Sequence, residues 1–265
     1  MSEQSLAAVQ ERFDELLEAD ASALADELFA VVDLLDKEAV LRRTMSDPSA
    51  PEQARAGLVD AVLGGQLSAG TVQAMRLIVS QRWSRPADLM EAVETLARRA
   101  VLTQAERDGA LDEIEDELFR FGRIVTHHTE LASLLGDRAA AGSRRRELLD
   151  SLLADKVHPT TRQLLDRAVT APRSTSLDRA IDALCEQAAG RRGRTVAWVR
   201  SATVLTPDQE RRLASALGRI YRREVAVHTE LDPDVVGGLL IQVGDDVIDG
   251  TISRQLDEAT RGLTG

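Results

Sequence analysis

The stretch VVGGLLIQVGDDVIDGTISRQLDEAT, Val235 to Thr260, packs four glycines and the acids Asp245, Asp246 and Asp249 between short apolar runs. It reads as a phosphate cradle, a metal loop or the backbone needs of a small sheet. A phosphate loop of the GxxxxGK[ST] type needs a lysine, and this stretch has none. A calcium loop needs oxygen ligands at alternating positions and a glutamate at the twelfth, a spacing these acids lack. The local reading accounts for every residue. Leu239–Val243 is a strand, Gly244-Asp245-Asp246 a tight turn, and Val247-Ile248 the start of an antiparallel partner. Gly237 and Gly238 relax the backbone where the chain enters the strand. Asp249 and Gly250 precede a helix capped by Thr251, where the dipole favours negative charge. That helix would present Ile252, Leu256, Ala259 and Leu263 on one face.

Working upstream, the same texture begins just after Arg191. Thr195-Val196-Ala197-Trp198-Val199 is short, apolar and β-branched, hence a buried strand. Thr206-Pro207-Asp208-Gln209 opens a helix as a capping box with proline at its first position. Its apolar face is Leu213, Leu217, Ile220 and Tyr221. Val225, Val227, Thr229 and Leu231 alternate as a second strand. Strand, helix, strand implies a parallel pair joined by a right-handed crossover. The third and fourth strands then make the sheet mixed.

Before Arg191 the pattern is helix after helix. Leu6, Val9, Phe13, Leu16 and Leu17 share one helical face, and Leu24, Leu28, Val31, Val32 and Leu35 another. Asp47-Pro48, Gly64-Gly65 and Arg85-Pro86 punctuate the run, with Pro51 suited to a first helical position and Ser68 to a cap. Leu111, Ile114, Leu118, Phe121, Val125, His128, Leu131 and Leu135 read as one long amphipathic helix. The segment also repeats itself at an offset of 90 without gaps. Asp26-Glu27-Leu28-Phe29 recurs as Asp116-Glu117-Leu118-Phe119, and Arg55, Leu58, Asp60, Leu63, Thr71 and Gln73 recur as Arg145, Leu148, Asp150, Leu153, Thr161 and Gln163. About fourteen identities over about sixty positions point to a duplicated helical unit. The expected fold class is therefore α+β: an internally duplicated helical bundle followed by a small α/β domain with a mixed sheet.

Composition narrows the function. A net charge of −11 argues against an extended nucleic-acid surface, and Arg144-Arg145-Arg146 and Arg191-Arg192-Gly193-Arg194 are too short to reverse that. Aromatics make up only 3% of the chain, so the core rests on Leu, Val, Ile and Ala. No run approaches the roughly 20 apolar residues of a membrane span. The start, MSEQSLAAVQERFDELL, does not read as a signal peptide. Cys185, the single cysteine, cannot form an internal disulfide and reads as a small core residue in a reducing compartment. His127 and His128 point roughly 100° apart on a helix and chelate one metal poorly. No HExxH, CxxC or GxSxG occurs, which favours a binding or structural protein over an enzyme, with no cofactor or metal expected.

Ser201-Ala202, Leu205-Thr206-Pro207, Asp232-Pro233, Val236-Gly237-Gly238, Gly244-Asp245 and Val247-Ile248-Asp249-Gly250-Thr251, followed by an amphipathic segment, together resemble the C-terminal domain of the F-type ATP synthase delta subunit family. The mitochondrial counterpart is the oligomycin-sensitivity-conferring protein. Ala92-Val93 to Leu96-Ala97, Glu130-Leu131 with Leu134-Leu135, and Arg145 to Leu153 resemble segments of that family's N-terminal bundle. The resemblance implies three parts: an extra helical unit over residues 1–88, as in long actinobacterial members, a bundle over 89–190, and the small domain over 191–265. It further implies a non-catalytic stator piece in the peripheral stalk of a proton-translocating ATP synthase, peripheral to the cytoplasmic face of the plasma membrane. Its expected partners are the N-terminal helix of the alpha subunit and the C-terminal end of subunit b. Val93, Leu96, Leu164, Leu165 and Val169 would line the groove for the alpha helix. Leu256, Ala259 and Leu263 would serve the subunit b contact or the small domain's own core. Two other readings are an unrelated helical adaptor and a metal-dependent phosphoryl-transfer enzyme built on Asp245, Asp246 and Asp249.

Overall fold

The computed structural model describes residues 3–17, 21–154, 156–172, 176–191, 194–221, 224–233, 235, 237–244 and 246–250. They form α1 (Glu3–Leu17), α2 (Ala21–Lys37), α3 (Ala39–Ser46), α4 (Glu52–Leu63), α5 (Ala69–Ser80), α6 (Pro86–Arg107), α7 (Leu111–His127), α8 (Thr129–Gly136), α9 (Gly142–Leu153), α10 (Pro159–Thr170) and α11 (Leu177–Arg191). Then follow β1 (Arg194–Ser201), α12 (Pro207–Tyr221), β2 (Glu224–Leu231), β3 (Leu239–Val243) and β4 (Asp246–Asp249). Two compact units emerge. One takes the described residues up to Ile114 together with Leu135–Leu177, and the other takes Glu115–Leu134 and the described residues from Asp178 onward.

The 90-residue repeat is carried by the helices residue for residue. Adding 90 to the bounds of α2, α3, α4 and α5 gives the bounds of α7, α8, α9 and α10. The same shift carries α1 onto the last part of α6, while α11 shifted back falls on its first part. One 22-residue helix thus stands where the first copy ends and the second begins. Such a helix has to pack against neighbours on every side. Ala92, Val93, Glu94, Thr95, Leu96 and Ala97 are accordingly all buried, six in succession. The boundary between residues 88 and 89 falls in the first turn of α6.

In the first unit α2 lies along α6, while α1, α3 and α5 close around the pair. Arg99 grips Asp14 of α1 with two bonds of 2.7 and 2.5 Å, and Arg107 donates to the Leu17 carbonyl at 2.9 Å. Ser68 caps α5 by accepting from the Thr71 amide. Pro51 is the residue before α4 and not its first position. The long periodic run divides at His128, between α7 and α8, which corrects the single helix expected there. The His128 amide is shared between the Ile124 and Val125 carbonyls, a three-centre end typical of a helix terminus. The first copy breaks at the equivalent Glu38, whose φ and ψ of −104° and 80° leave the helical region. No proline or glycine marks either break.

In the second unit the sheet order is β2-β1-β3-β4, with β1 and β2 parallel and the other pairs antiparallel. The capping box at Thr206 forms as read: its amide donates to Gln209 Oε1 at 2.8 Å, and its Oγ1 accepts from the Gln209 amide at 3.3 Å. α12 covers one sheet face with Leu213, Leu217 and Tyr221 over Ala197, Val199, Val225, Ile241 and Val243. Ile220 is 64% exposed, a correction to its place on that apolar face. Tyr221, four residues after Leu217, takes the inward position instead. On the other side of the sheet's own unit, α7 and α11 come so close that a Cβ on Gly122 would lie 3.2 Å from the Ile181 methyl.

Candidate partner-binding surfaces

Val93 and Leu96 sit on α6, and Leu164, Leu165 and Val169 on α10, all at 1% exposure or less. Each is interior in the first unit. Side chains also tie α10 to α2. Arg167 bonds Asp33 at 2.9 and 3.0 Å, its guanidinium carbon stands 4.7 Å from the centre of the Phe29 ring, and Gln163 bonds Asp26 at 3.3 Å. An ion pair, a cation–π contact and a hydrogen bond from the Gln163 amide to the Asp26 carboxylate therefore tie α2 to α10. Periodicity cannot flag this clasp, because Asp26, Asp33, Gln163 and Arg167 read as surface residues. The repeat offers a partial signal, since Asp26 and Phe29 belong to its best conserved block.

The same block explains itself through Glu27. Its carboxylate receives the Ser68 amide at 3.1 Å, the Ser68 hydroxyl at 2.6 Å and the Thr71 hydroxyl at 2.5 Å. A negative group is thus seated at the positive end of α5. Arg55 and Arg145, repeat partners, are buried and act alike at the opposite helix ends. Arg55 donates to the Gln81 carbonyl at 2.8 Å, and Arg145 to that of Val169 at 2.6 Å. Arg145 is 6% exposed, so the middle of the Arg144-Arg145-Arg146 run is interior and not surface charge.

In the sheet unit, Gly237, Gly238 and Gly244 adopt φ values of 64°, 81° and 57°, conformations that favour glycine. Asp249 ends β4 opposite Leu240, and the Gly250 amide closes onto the Leu239 carbonyl at 2.9 Å. Asp246 and Asp249 are three apart on one strand, so their side chains leave opposite faces and do not converge on one ion. Among the described residues no cluster of three or more His, Cys, Asp or Glu side chains could hold a metal. Asp245, Thr251, Leu256, Ala259 and Leu263 lie outside the described residues. Cys185 is fully buried, and burial pushes its thiol pKa up, as suits a core residue. Among the described residues no helix is long and apolar enough to cross a membrane.

The sequence profile of the family described as ATP synthase delta (OSCP) subunit matches residues 96–263. A Streptomyces griseus protein named ATP synthase subunit delta is 45% identical over 267 residues, covering 100% of this chain and 98% of its own. One of the same name from Parafrankia is 43% identical over 99% of this chain and 98% of its own, and one from Kineococcus radiotolerans 45% identical over 98% and 96%. A chain of the Toxoplasma gondii mitochondrial ATP synthase hexamer is 18% identical with a TM-score of 0.42, over 63% of this chain and 95% of its own, too slight a likeness to bear weight. The profile begins inside α6, whereas the likeness to the relatives runs through the helices before it as well. The chain belongs to the ATP synthase delta (OSCP) subunit family.

Proposed function

We propose that this chain is a non-catalytic stator piece of the F-type ATP synthase. It joins the alpha/beta head to subunit b in the peripheral stalk, at the cytoplasmic face of the membrane, and resists the torque of the turning shaft. The observation that carries this reading is the end-to-end likeness to proteins named ATP synthase subunit delta, through both the helices and the sheet. Family membership leaves no support for an unrelated adaptor.

The alpha contact is proposed for the seam of α6 and α10, where Val93, Leu96, Leu164, Leu165 and Val169 lie. Because these residues are interior and α2 is clasped to α10, a guest helix there competes with α2. The subunit b contact is proposed for the small domain, with Leu256, Ala259 and Leu263. The test is calorimetric titration of the full chain with a peptide of the alpha N-terminus and with one of the subunit b C-terminus. It is paired with reconstitution of ATP-driven proton pumping in enzyme stripped of its delta subunit. Binding of both peptides with restored pumping is expected. Binding of neither, with no restoration, overturns the reading.

A further inference from the structure

The sheet face opposite α12 encloses a cavity of about 310 Å³ with α7 and α11, all within the second unit. Two of its walls differ sharply in chemistry. One is aromatic. The Phe119 ring lies 4.0 Å from that of His228 and 6.0 Å from that of Trp198, and the His228 and Trp198 rings meet edge to face at 5.1 Å. A chain with two tryptophans and four phenylalanines has placed one of each here. The other wall is anionic. Asp178, Asp182 and Glu186 follow one another at four-residue steps along α11, and Glu230 joins them from β2.

Like charges at that helical spacing repel. Burial first, then Asp178, Glu186 and Glu230, push the Asp182 carboxyl up to about 6. The cations at hand do not pair with Asp178, Asp182 or Glu230. Arg200 leans 3.6 Å from Asp232, Arg123 is exposed on α7, and His228 stands 3.9 Å from Glu115. Among the described residues, Asp178, Asp182 and Glu230 have no ion-pair partner. The resident charges therefore carry a repulsion that an incoming cation relieves.

We propose that this cavity receives an arginine side chain of a partner polypeptide, its guanidinium laid against the rings of Phe119 and Trp198 and bonded by Asp182 and Glu230. Three observations select that occupant. Aromatic faces and carboxylates together favour a planar cation that stacks and forks, which is guanidinium and not ammonium. The acids cannot share one ion, since no metal-holding cluster occurs among the described residues. Asp178, Glu186 and Arg123 are exposed at the rim, so the occupant enters from outside, and a net charge of −11 steers basic segments toward the chain. The inference goes beyond the stator reading and does not rest on it.

The test follows the indole N–H signals of the 15N-labelled full chain while the peptide acetyl-Gly-Arg-Gly-amide is added at constant ionic strength. A matched peptide with citrulline, the uncharged isostere, and tetramethylammonium are titrated in parallel. The Trp198 signal is expected to shift saturably with the arginine peptide only. The buried Trp83, whose indole donates to the Ile78 carbonyl, should stay in place and report that the fold is intact. The double variant Asp182→Asn, Glu230→Gln should weaken binding about tenfold or more, the factor that corresponds to about 1.4 kcal/mol. A silent Trp198, an equal response to citrulline or tetramethylammonium, or unchanged affinity in the double variant overturns the assignment.

Discussion

Replacing Glu27 by alanine isolates what the duplicated Asp-Glu-Leu-Phe block does for the fold. The side chain reaches from α2 to the N-terminus of α5 and accepts three hydrogen bonds, two from Ser68 and one from Thr71. Ser68 is exposed, so water replaces most of what it loses. Thr71 is fully buried, and its hydroxyl keeps only a 3.2 Å contact with the Ser68 oxygen. An under-satisfied buried hydroxyl costs roughly 1–2 kcal/mol, and the lost charged bonds and dipole contact about 1–2 more. The variant should therefore lose about 3 kcal/mol, a fall of roughly 6–12 °C in the melting temperature of the helical unit. Glu27→Gln keeps an acceptor and the reach, and should lose only about 1 kcal/mol. The assay is thermal unfolding followed by helical circular dichroism, at one salt concentration. A fall below about 2 °C for the alanine variant would refute the reasoning. So would equal falls for alanine and glutamine, since the charge and the bonds would then have no separable effect.

Other predictions rest on single contacts. Arg145→Ala strips donors from the C-terminal carbonyls of α10 and should cost about 2 kcal/mol in denaturant unfolding, with lysine recovering less than half. Asp33→Ala loosens the clasp of α2 on α10; if a guest helix competes with α2, the alpha peptide should bind up to about fivefold tighter, since a half-exposed pair contributes about 1 kcal/mol. Asp182→Asn tests the sign of the cavity's repulsion. The folded carboxyl titrates near 6, above its ordinary value of 3.8, so ionisation opposes folding above about pH 6 and has no effect below about pH 4. The asparagine variant should therefore be more stable at pH 7–8, by about 1 kcal/mol once solvent screening of the half-exposed group is allowed for, with the gain vanishing toward pH 4. Chemical denaturation across that range measures it.

Much of this architecture is legible in the sequence, because its signals are local. The capping box at Thr206, the positive-φ glycine at Gly244 and the strand β2 each depend on a few adjacent residues and form as read, although burial along β2 does not alternate and Asp246, read as part of the turn, pairs with Val243 as the first residue of β4. What escapes is what depends on residues far apart. The break at His128 carries no glycine or proline and shows only by comparison with Glu38 in the other copy. Ile220 and Tyr221 compete for one inward position, and helical spacing allows either. The proposed groove residues have the apolar character of a docking surface, but a core has the same character; only their burial at 1% or less separates the two. The cavity of the second unit is invisible from sequence, since Phe119, Asp182, Trp198 and His228 come from four different elements.

The shared helix makes the duplication more than an addition. Had the extra unit been a separate bundle on a linker, residues 1–88 could be removed without harm. α6 instead serves both copies with overlapping stretches, residues 87–101 completing the first and 93–107 opening the second, and residues 92–97 in its middle are all buried. Glu94, at 2% exposure, is bonded to Arg98 at 2.5 Å within this helix, a charge kept out of water by its neighbours. Removing α1 and α2 would strip the packing from Ala92–Ala97 and from α10 at once. A chain beginning at residue 89 should therefore lose its cooperative unfolding and elute as aggregate or oligomer in size-exclusion chromatography. A monomeric, cooperatively melting product would show instead that the second copy is self-sufficient and that α6 belongs to it alone.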